Sequence, residues 1–295
     1  MTRTGVSPRL SQHLPEPFVE IHPDDAARAG LADDDFARVT TDYGQCILKV
    51  VVSTRQQRGM LFAPIHWSDE NASSARLGAL VAPFTDPFSG QPENKATPAS
   101  IAPYEYVFRG FALSRQRLQL PANVWWVRVA VSGGYGYLLA GNADLAAWQS
   151  WAGSFAGGDV AEYKDFGGGI FRAASFAKER LETCLFIGPA RDAGDWGVVK
   201  DLFAKDALSD EQRRMLLSGK SVDGLASSGP IVCACFGVGR ATICDAIAAG
   251  AASASEIGAQ LKAGTNCGSC IPELKRLIAQ TEVPPEQPRQ LAIMN

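Results

Sequence analysis

From about residue 18 to residue 52 the chain contains three short β-rich runs that are typical of strands and one helical segment. FVEI (residues 18–21) is a short extended run, and the residues HPDD (22–25) predict the start of a helix. FARVTT (36–41) and QCILKVVV (45–52) are two β-rich runs. The turn-forming residues between them predict a hairpin, so the expected order is strand, helix, hairpin.

The middle of the chain contains both strand patterns, with a period of two, and helix patterns, with a period of about 3.6. The apolar run MLFAPIHW (60–67) precedes a stretch rich in Pro, Ser, Thr and Gly (83–103), and the GGYG sequence (133–136) is interpreted as a turn. Further strands are expected at 124–132, 170–174 and 181–187, and helices at 143–151, 195–205 and 209–218. This mixture predicts a small α/β middle domain over residues 112–218, after a mainly β domain over residues 1–111.

The last part of the chain has helical spacing. Apolar positions recur at helical intervals in 240–249, 253–262 and 272–279. The Gly- and Ser-containing residues 219–230 are predicted to be a linker, and the polar, Pro-rich residues 282–295 a tail. We therefore expect a small all-α domain at 231–281, and a multidomain protein in total.

Composition narrows the possible functions. The chain has 295 residues, of which 46% are hydrophobic and 20% charged, enough for two or three packed domains. A net charge of −3 with a sequence pI of about 5.7 gives no reason to expect nucleic acid or an anionic membrane as a partner. No apolar stretch has the length of a signal peptide core or of a membrane span, so a cytoplasmic location is expected.

Four of the seven cysteines stand in two close pairs. Cys233-Ala-Cys235 and Cys267-Gly-Ser-Cys270 are separated by thirty-one residues. In a reducing compartment such pairs favour metal binding over disulfides. Four thiolates suit either a tetrahedral metal or a Cys₄ iron-sulfur cluster, and the neighbouring glycines favour iron-sulfur because they let backbone N–H groups turn toward sulfur.

Two other interpretations of these cysteines stay open on spacing alone. One is a structural zinc site, and the other is a set of unrelated buried cysteines. The three remaining cysteines, Cys46, Cys184 and Cys244, are predicted to be core residues because they lie inside strand or helix patterns.

The C-terminal stretch has a specific family resemblance. IVCACFGVGRATICDAI and SASEIGAQLKAGTNCGSCIPELKRLI resemble the bacterioferritin-associated-ferredoxin-like [2Fe-2S] domain over about fifty residues, including both cysteine pairs. The resemblance implies a small helical domain in which Cys233, Cys235, Cys267 and Cys270 bind the cluster. It makes the zinc interpretation less favourable.

In the N-terminal hundred residues, the spacing of the reactive side chains does not reveal a catalytic site. There are three histidines in the chain, and no Ser-His-Asp arrangement can be recognised. His66 is either a cofactor contact or a hydrogen-bonded core residue beside Trp67. Thr2, Arg3 and Thr4 have the hydroxyl and guanidinium groups that suit phosphate, although polar terminal residues are often simply solvated.

The same hundred residues have a second resemblance. MTRTGVSPRLSQHLPEPF, MLFAPIHWSDEN and PFTDPFSGQPENKATPASI resemble the molybdopterin-dinucleotide-binding domain that ends the large subunit of molybdenum oxidoreductases, in particular the assimilatory nitrate reductases. The resemblance implies a six-stranded double-psi β-barrel that holds the guanine dinucleotide end of bis-molybdopterin guanine dinucleotide. The positions that match the family's cofactor contacts are Thr2, Arg3, Thr4, His66, Asn71 and Lys95.

The order of the two domains resembles the C-terminal part of bacterial assimilatory nitrate reductases. It implies a cofactor-binding and electron-transfer role in reducing nitrate to nitrite, with an upstream catalytic region or subunit and an electron-donating reductase or ferredoxin as partners. We expect the chain to lack the molybdenum ligand and the N-terminal [4Fe-4S] motif of such enzymes and to be inactive alone. The alternatives are a stand-alone [2Fe-2S] electron-transfer or adaptor protein and, less favoured, a segment of an assimilatory nitrite reductase.

Overall fold

The computed structural model describes residues 15–95, 97–189, 194–218, 231–233 and 235–282. Contacts within the chain divide it into two compact units, Met1–Leu225 and Ala226–Asn295. The first unit contains two large β-sheets, and the second is mainly helical. The predicted multidomain, β-rich organisation is confirmed. Within the described ranges, none of the helices has the length and apolar character needed to cross a bilayer.

The first sheet has the strand order β4-β1-β3-β2-β5, in which β1 pairs parallel with β3 and the other pairs are antiparallel. Its strands are β1 (Phe18–Ile21), β2 (Phe36–Thr40), β3 (Gln45–Val52), β4 (Leu61–Phe62) and β5 (Ser100–Pro103). The predicted strand and hairpin are confirmed as β1, β2 and β3. The apolar run at 60–67 forms only the two-residue β4.

Helix α1 (Pro23–Ala29) forms where the sequence predicts it, because both of its ends have local signals. The His22 Nδ1 atom accepts a hydrogen bond from the Asp24 N–H at 3.1 Å, and Pro23 occupies the first turn, where its missing N–H costs nothing. Gly30 ends the helix in the left-handed conformation with φ of 68°.

The second sheet is entirely antiparallel, with the order β7-β8-β6-β11-β10-β9. Its strands are β6 (Phe108–Ser114), β7 (Trp125–Val131), β8 (Gly134–Gly141), β9 (Asp159–Asp165), β10 (Ile170–Ala177) and β11 (Arg180–Pro189), and its helices are α2 (Leu145–Phe155), α3 (Trp196–Phe203) and α4 (Asp210–Leu216). Strand β6 runs across residue 111, where the sequence predicts a domain boundary. That boundary stays a prediction.

The glycine-rich sequence at 133–136 is mostly strand, and its turn is shorter than expected. Val131 pairs with Gly134, so only two residues form the hairpin turn, and Gly133 has φ of 76°. Gly136 lies inside β8, where a Cβ atom would stand 2.6 Å from the Trp196 side chain. The sheet therefore needs glycine at this position for close packing, which explains why a turn-like composition forms a strand.

Strand β7 contributes to the core of the first sheet as well as to its own sheet. Trp125, Val127 and Val129 are buried in the apolar cluster that contains Phe36 and Leu48. The rings of Phe36 and Trp125 have centroids 4.3 Å apart, and the Trp125 Nε1 donates to the Ile47 carbonyl at 3.2 Å. The two sheets are therefore joined through one strand, within a single unit.

In its described residues the C-terminal unit has three helices, as predicted, and a short hairpin that was not predicted. The elements are β12 (Ile231–Cys233), β13 (Val238–Gly239), α5 (Arg240–Ala248), α6 (Ala254–Leu261) and α7 (Ile271–Glu282). The Ser253 side chain caps α6 by accepting from the Glu256 N–H at 3.2 Å. The expectation of an all-α domain was thus incomplete. The predicted linker at 219–230 and the tail beyond 282 lie outside the described residues.

Candidate metal centre

The four cysteines of the two pairs lie at two turns of the C-terminal unit. Cys233 ends β12, and Cys235 lies in the turn that leads to β13. Cys267 lies in the loop between α6 and α7, and Cys270 immediately precedes α7. The Cys270 carbonyl accepts from the Leu274 N–H at 3.0 Å. Cys270 is therefore at the positive end of the helix dipole, which favours a negatively charged group.

The thiols meet as two pairs, and each pair takes one cysteine from each turn. The Sγ atoms of Cys235 and Cys267 are 3.2 Å apart, and Cys270 hydrogen-bonds with the Cys233 thiol. The first pair is accessible, since Cys267 is exposed and Cys235 half-buried. The second is in the core, with Cys233 2% and Cys270 4% exposed. None of the four forms a disulfide in the described structure.

Local hydrogen bonds favour the thiolate at the accessible pair. The Ser269 hydroxyl and backbone N–H, together with the Cys235 thiol, lower the pKa of Cys267 to about 7. Burial, together with the Cys233 thiol, raises the pKa of Cys270 to about 11, while a backbone hydrogen bond from Gly264 acts in the opposite direction. Thiolate is the form that binds metal, and a bound cation would offset the cost of the buried charge.

Two thiol pairs fit a two-iron cluster better than a single ion. In a Cys₄ [2Fe-2S] cluster each iron takes two thiolates. Two thiolates at about 2.3 Å from one tetrahedral metal stand roughly 3.8 Å apart, so the Cys235–Cys267 pair needs to open by only about half an ångström. Within the described ranges, no group of three or more His, Cys, Asp or Glu side chains is arranged to hold one ion.

The loop before Cys267 requires glycine at position 264. Gly264 has φ of 85°, and a Cβ atom there would lie 3.2 Å from Ile271 Cγ1 and 3.3 Å from Leu274 Cδ1. The left-handed conformation and this close approach both disfavour any side chain. The loop can therefore pack against α7 and direct the Gly264 N–H to the Cys270 sulfur.

The other cysteines occupy core positions, as predicted. Cys46 is buried in β3, where its thiol donates to the Arg76 carbonyl at 3.3 Å and burial raises its pKa to about 11. Cys184 is buried in β11, where burial raises its pKa to about 12. Cys244 is half-buried on α5 and packs against the core of the C-terminal unit. Raised pKa values disfavour the thiolate, so Cys46 and Cys184 are poor ligands.

The predicted dinucleotide contacts differ in accessibility. His66 is exposed in a turn after β4, so the alternative that it is a core residue is wrong. Lys95 is also exposed. Asn71 is 5% exposed, and its Oδ1 accepts from the Ser68 N–H at 3.0 Å. Cofactor contact by these residues stays a prediction. Thr2, Arg3 and Thr4 lie outside the described residues.

The indole of Trp67 leaves a buried donor beside His66. Trp67 is 4% exposed, and its Nε1 has no hydrogen-bond partner in the part of the chain that the structure describes. A buried N–H without an acceptor costs about 1–3 kcal/mol. The indole N–H of Trp67 is therefore an unsatisfied buried donor at the position that follows His66, a predicted cofactor contact.

The segment after His66 is bonded to β7, which the sequence did not indicate. The Ser73 N–H donates to the Trp126 carbonyl at 2.8 Å, and the Trp126 N–H donates to the Ser73 Oγ at 2.7 Å. The Arg128 N–H donates to the Asn71 carbonyl at 2.8 Å. This pairing spans more than fifty residues, so no local pattern could reveal it. It gives Asn71 a structural role in addition to any cofactor contact.

Two family models match the chain, one near each end. The model described as the molydopterin dinucleotide binding domain matches residues 1–98, and the BFD-like [2Fe-2S] binding domain matches residues 231–280. The nitrate reductase of Klebsiella oxytoca is 39% identical over 286 residues, which are 95% of this chain and 32% of that protein. The chain is therefore similar to this nitrate reductase over almost all of its own length.

The chain spans about a third of the length of this Klebsiella relative. The assimilatory nitrate reductase catalytic subunit of Bacillus subtilis (strain 168) is 29% identical over 104 residues, 34% of this chain and 14% of that protein. The acetylene hydratase from Pelobacter acetylenicus aligns with 20% identity and a TM-score of 0.28, over 32% of this chain and 15% of that chain, and this likeness is too low to support a conclusion. Both family resemblances and both cofactor classes predicted from the sequence are confirmed.

Proposed function

We propose that the chain is the cofactor-binding and electron-transfer part of an assimilatory nitrate reductase, which reduces nitrate to nitrite at molybdenum. The observation that carries this proposal is the meeting of four cysteines as two thiol pairs in a domain that matches the BFD-like [2Fe-2S] family. The molybdopterin dinucleotide-binding domain in the same chain supports the larger assignment, as does the 39% identity to a nitrate reductase.

Cys233, Cys235, Cys267 and Cys270 are the ligands of the [2Fe-2S] cluster. When bound, the cluster takes up and releases single electrons. Ser269 donates to Cys267 and lowers its pKa, which favours the thiolate needed for binding. The buried pair, Cys233 and Cys270, lies in the apolar core, where water is excluded and the reduction potential is sensitive to nearby N–H groups.

Thr2, Arg3, Thr4, His66, Asn71 and Lys95 bind the dinucleotide end of bis-molybdopterin guanine dinucleotide. Guanidinium, ammonium, imidazole and amide groups supply the donors that phosphate oxygens and a guanine edge accept. The exposure of His66 and Lys95 supports this role. We infer that residues 1–111 form the six-stranded double-psi barrel of this family, and the five-stranded first sheet supports this inference.

The partners of this proposal are an upstream catalytic region or subunit and an electron-donating reductase or ferredoxin, and the compartment is the cytoplasm. The Klebsiella relative is about three times as long as the matched segment, which supports a role inside a larger redox enzyme. The accessible Cys235–Cys267 pair supports electron exchange with another protein, because electron transfer needs a cluster close to the surface.

Anaerobic purification of the full chain tests the cluster. About two irons per chain, visible absorbance and an EPR signal after dithionite reduction are expected. Zinc in place of iron, without colour, would exclude electron transfer by this chain. Nitrate reduction is then measured after co-expression with the catalytic region of a nitrate reductase, and an equally active complex without residues 231–281 would contradict the electron-transfer role.

A stand-alone [2Fe-2S] electron-transfer or adaptor protein is the second candidate. It is favoured by one observation, the separate compact unit that contains all four cysteines. The two candidates differ in their dependence on molybdenum. A cluster that exchanges electrons with a reductase while the chain binds no pterin in cells that make the cofactor would favour the second candidate.

A further inference from the structure

A half-open cavity of about 280 Å³ lies on the second sheet, within the first unit. Its walls are β7, β8 and the segment that connects β6 to β7. Trp126 and Arg128 come from β7, Tyr137 from β8, and Arg117 from the connecting segment. Two leucines, Leu118 and Leu120, complete its apolar surface.

The two arginines have no partners in the described residues. Neither the Arg117 nor the Arg128 guanidinium makes a hydrogen bond or an ion pair with any residue in those ranges, and no acidic residue lines the cavity. Arg109, by contrast, is bonded to both Glu16 and Asp34. A half-buried guanidinium such as that of Arg128 is usually paired, because desolvation of a charge is costly. The cavity therefore has uncompensated positive charge.

The register of the sheet places a hydroxyl next to this charge. Arg128 is directly opposite Tyr137 in the β7–β8 pairing. The Tyr137 oxygen accepts from the Leu118 N–H at 3.0 Å, which holds the connecting segment against the sheet. Burial raises the pKa of Tyr137, whereas Arg128 and Arg117 act to lower it, which shows that both charges act at this hydroxyl. The charges and the hydroxyl thus belong to one site.

The size of the cavity and its apolar wall indicate the ligand class. A volume of 280 Å³ corresponds to about nine waters and is close to the lower end of small-molecule pockets. An isolated phosphate would leave most of it unfilled. Guanidinium groups match phosphate oxygens, and a half-buried indole suits the face of a planar ring. The combination suits a phosphate attached to an aromatic base.

We propose that this cavity binds a mononucleotide, with Arg117 and Arg128 holding the phosphate and Trp126 contacting the base. Strand β7 is also bonded to Asn71 and Ser73 of the molybdopterin dinucleotide-binding domain. The proposed ligand is a free mononucleotide, because the proposed function assigns the dinucleotide end of the molybdenum cofactor to other residues. The proposal depends neither on the iron-sulfur site nor on nitrate reduction.

Calorimetric titration of the full chain with GMP, AMP and inorganic phosphate tests the proposal. We expect saturable nucleotide binding that is at least about tenfold tighter than phosphate binding. Arg117→Gln and Arg128→Gln should each weaken nucleotide binding at least about tenfold. Arg55→Gln removes the same charge from a side chain that is 87% exposed, and it should bind like the wild type.

A variant of Trp126 and a comparison of two nucleotides test the contact with the base. Trp126→Leu should weaken nucleotide binding and leave phosphate binding unchanged. A preference for either nucleotide identifies the base that the cavity recognises, and equal affinities indicate contact with the base that does not distinguish guanine from adenine; both support the site. No saturable binding at millimolar nucleotide, phosphate binding as tight as nucleotide binding, or wild-type affinity in Arg117→Gln would overturn it. Arg117 is exposed, so its variant is suitable even if Arg128→Gln does not fold.

Discussion

The two compact units differ in what fills their cores. In the first unit, large side chains from different strands pack together, such as Phe36 with Trp125 and Phe111 with Phe186, whose rings stack at 4.9 Å. In the C-terminal unit the core is made of smaller aliphatic residues, and Cys233 and Cys270 belong to it. The candidate metal ligands are therefore also core residues in one unit, whereas the first unit has a core independent of any metal.

This difference has an energetic consequence. A domain of about fifty residues buries a smaller fraction of its surface than a larger one, so its core alone contributes little net stability. Metal binding can then supply the missing folding free energy, as it does in zinc fingers. We expect the C-terminal unit to fold with its cluster and the first unit to fold without any cofactor.

Cys267→Ser should produce the largest difference in stability between the two units. Loss of one thiolate ligand is expected to abolish cluster binding, because the serine hydroxyl is a poor ligand for iron. Hydrogen exchange should then become faster in residues 235–281 and remain unchanged in residues 15–218. Cys244→Ser is the matched control in the same unit and should retain iron. A wild-type visible spectrum in Cys267→Ser would contradict the ligand assignment.

Truncation of one buried leucine in each unit should sharpen the comparison. Leu274 and Leu48 are both fully buried, and Leu→Ala at either position is expected to cost about 2–5 kcal/mol. Leu274→Ala should unfold the C-terminal unit when iron is removed, because the free energy of unfolding of so small a unit is low without its metal. Leu48→Ala should only lower the urea midpoint of the first unit. If both units stayed folded after Leu→Ala without iron, their free energies of unfolding would not differ in the way expected here.

Arg172 is expected to have a smaller effect within the first unit. Its Nη1 donates to the Leu217 and Ser218 carbonyls at 2.8 and 2.6 Å, just beyond α4. Arg172→Met should lose about 1.5–3 kcal/mol and selectively increase hydrogen exchange in residues 209–218. Arg55→Met, at an exposed position, should change neither quantity. Uniform exchange across the unit would indicate general destabilisation instead.

Asp34 should have the smallest effect, and a pH-dependent one. Burial alone would raise its pKa, but hydrogen bonds and charge from Lys49 and Arg109 lower it below the usual 3.8. A lowered folded-state pKa stabilises the protein above pH about 4, and the contribution is lost as pH falls through the folded-state value. Asp34→Asn should cost under about 1 kcal/mol at pH 6, because Asp34 is largely exposed.

Urea titrations at several pH values test this last prediction. The difference in stability between wild type and Asp34→Asn should shrink progressively as the pH falls below about 4. Asp201→Asn, on the exposed surface of α3, is the control and should match the wild type throughout. A difference that does not change with pH would mean that the charge of Asp34 beside Lys49 and Arg109 is not its cause.

Local signals explain which elements could be predicted. Helix α1 has its cap at His22 and its terminating Gly30, and α2 begins where Asp144 accepts from the Ala147 N–H at 2.8 Å. Strand β8 was not predicted because glycine has a low strand propensity. Gly136 is required there by the close approach of the Trp196 side chain, which the local sequence does not show. Strand β9 is an edge strand with mostly exposed residues, so it lacks the apolar alternation of a half-buried strand.

The sequence by itself determined the chemistry of this protein, namely two cysteine pairs at a fixed spacing and two recognisable domain families. A short motif such as Cys-Gly-Ser-Cys is defined by residues that are adjacent in the sequence, so it can be recognised without the structure. The tertiary structure decided which thiols meet, which pair is buried, that Asn71 and Ser73 are bonded to β7, and that Arg117 and Arg128 share one cavity. These contacts join residues far apart in the chain, and their formation depends on the packing of the whole unit.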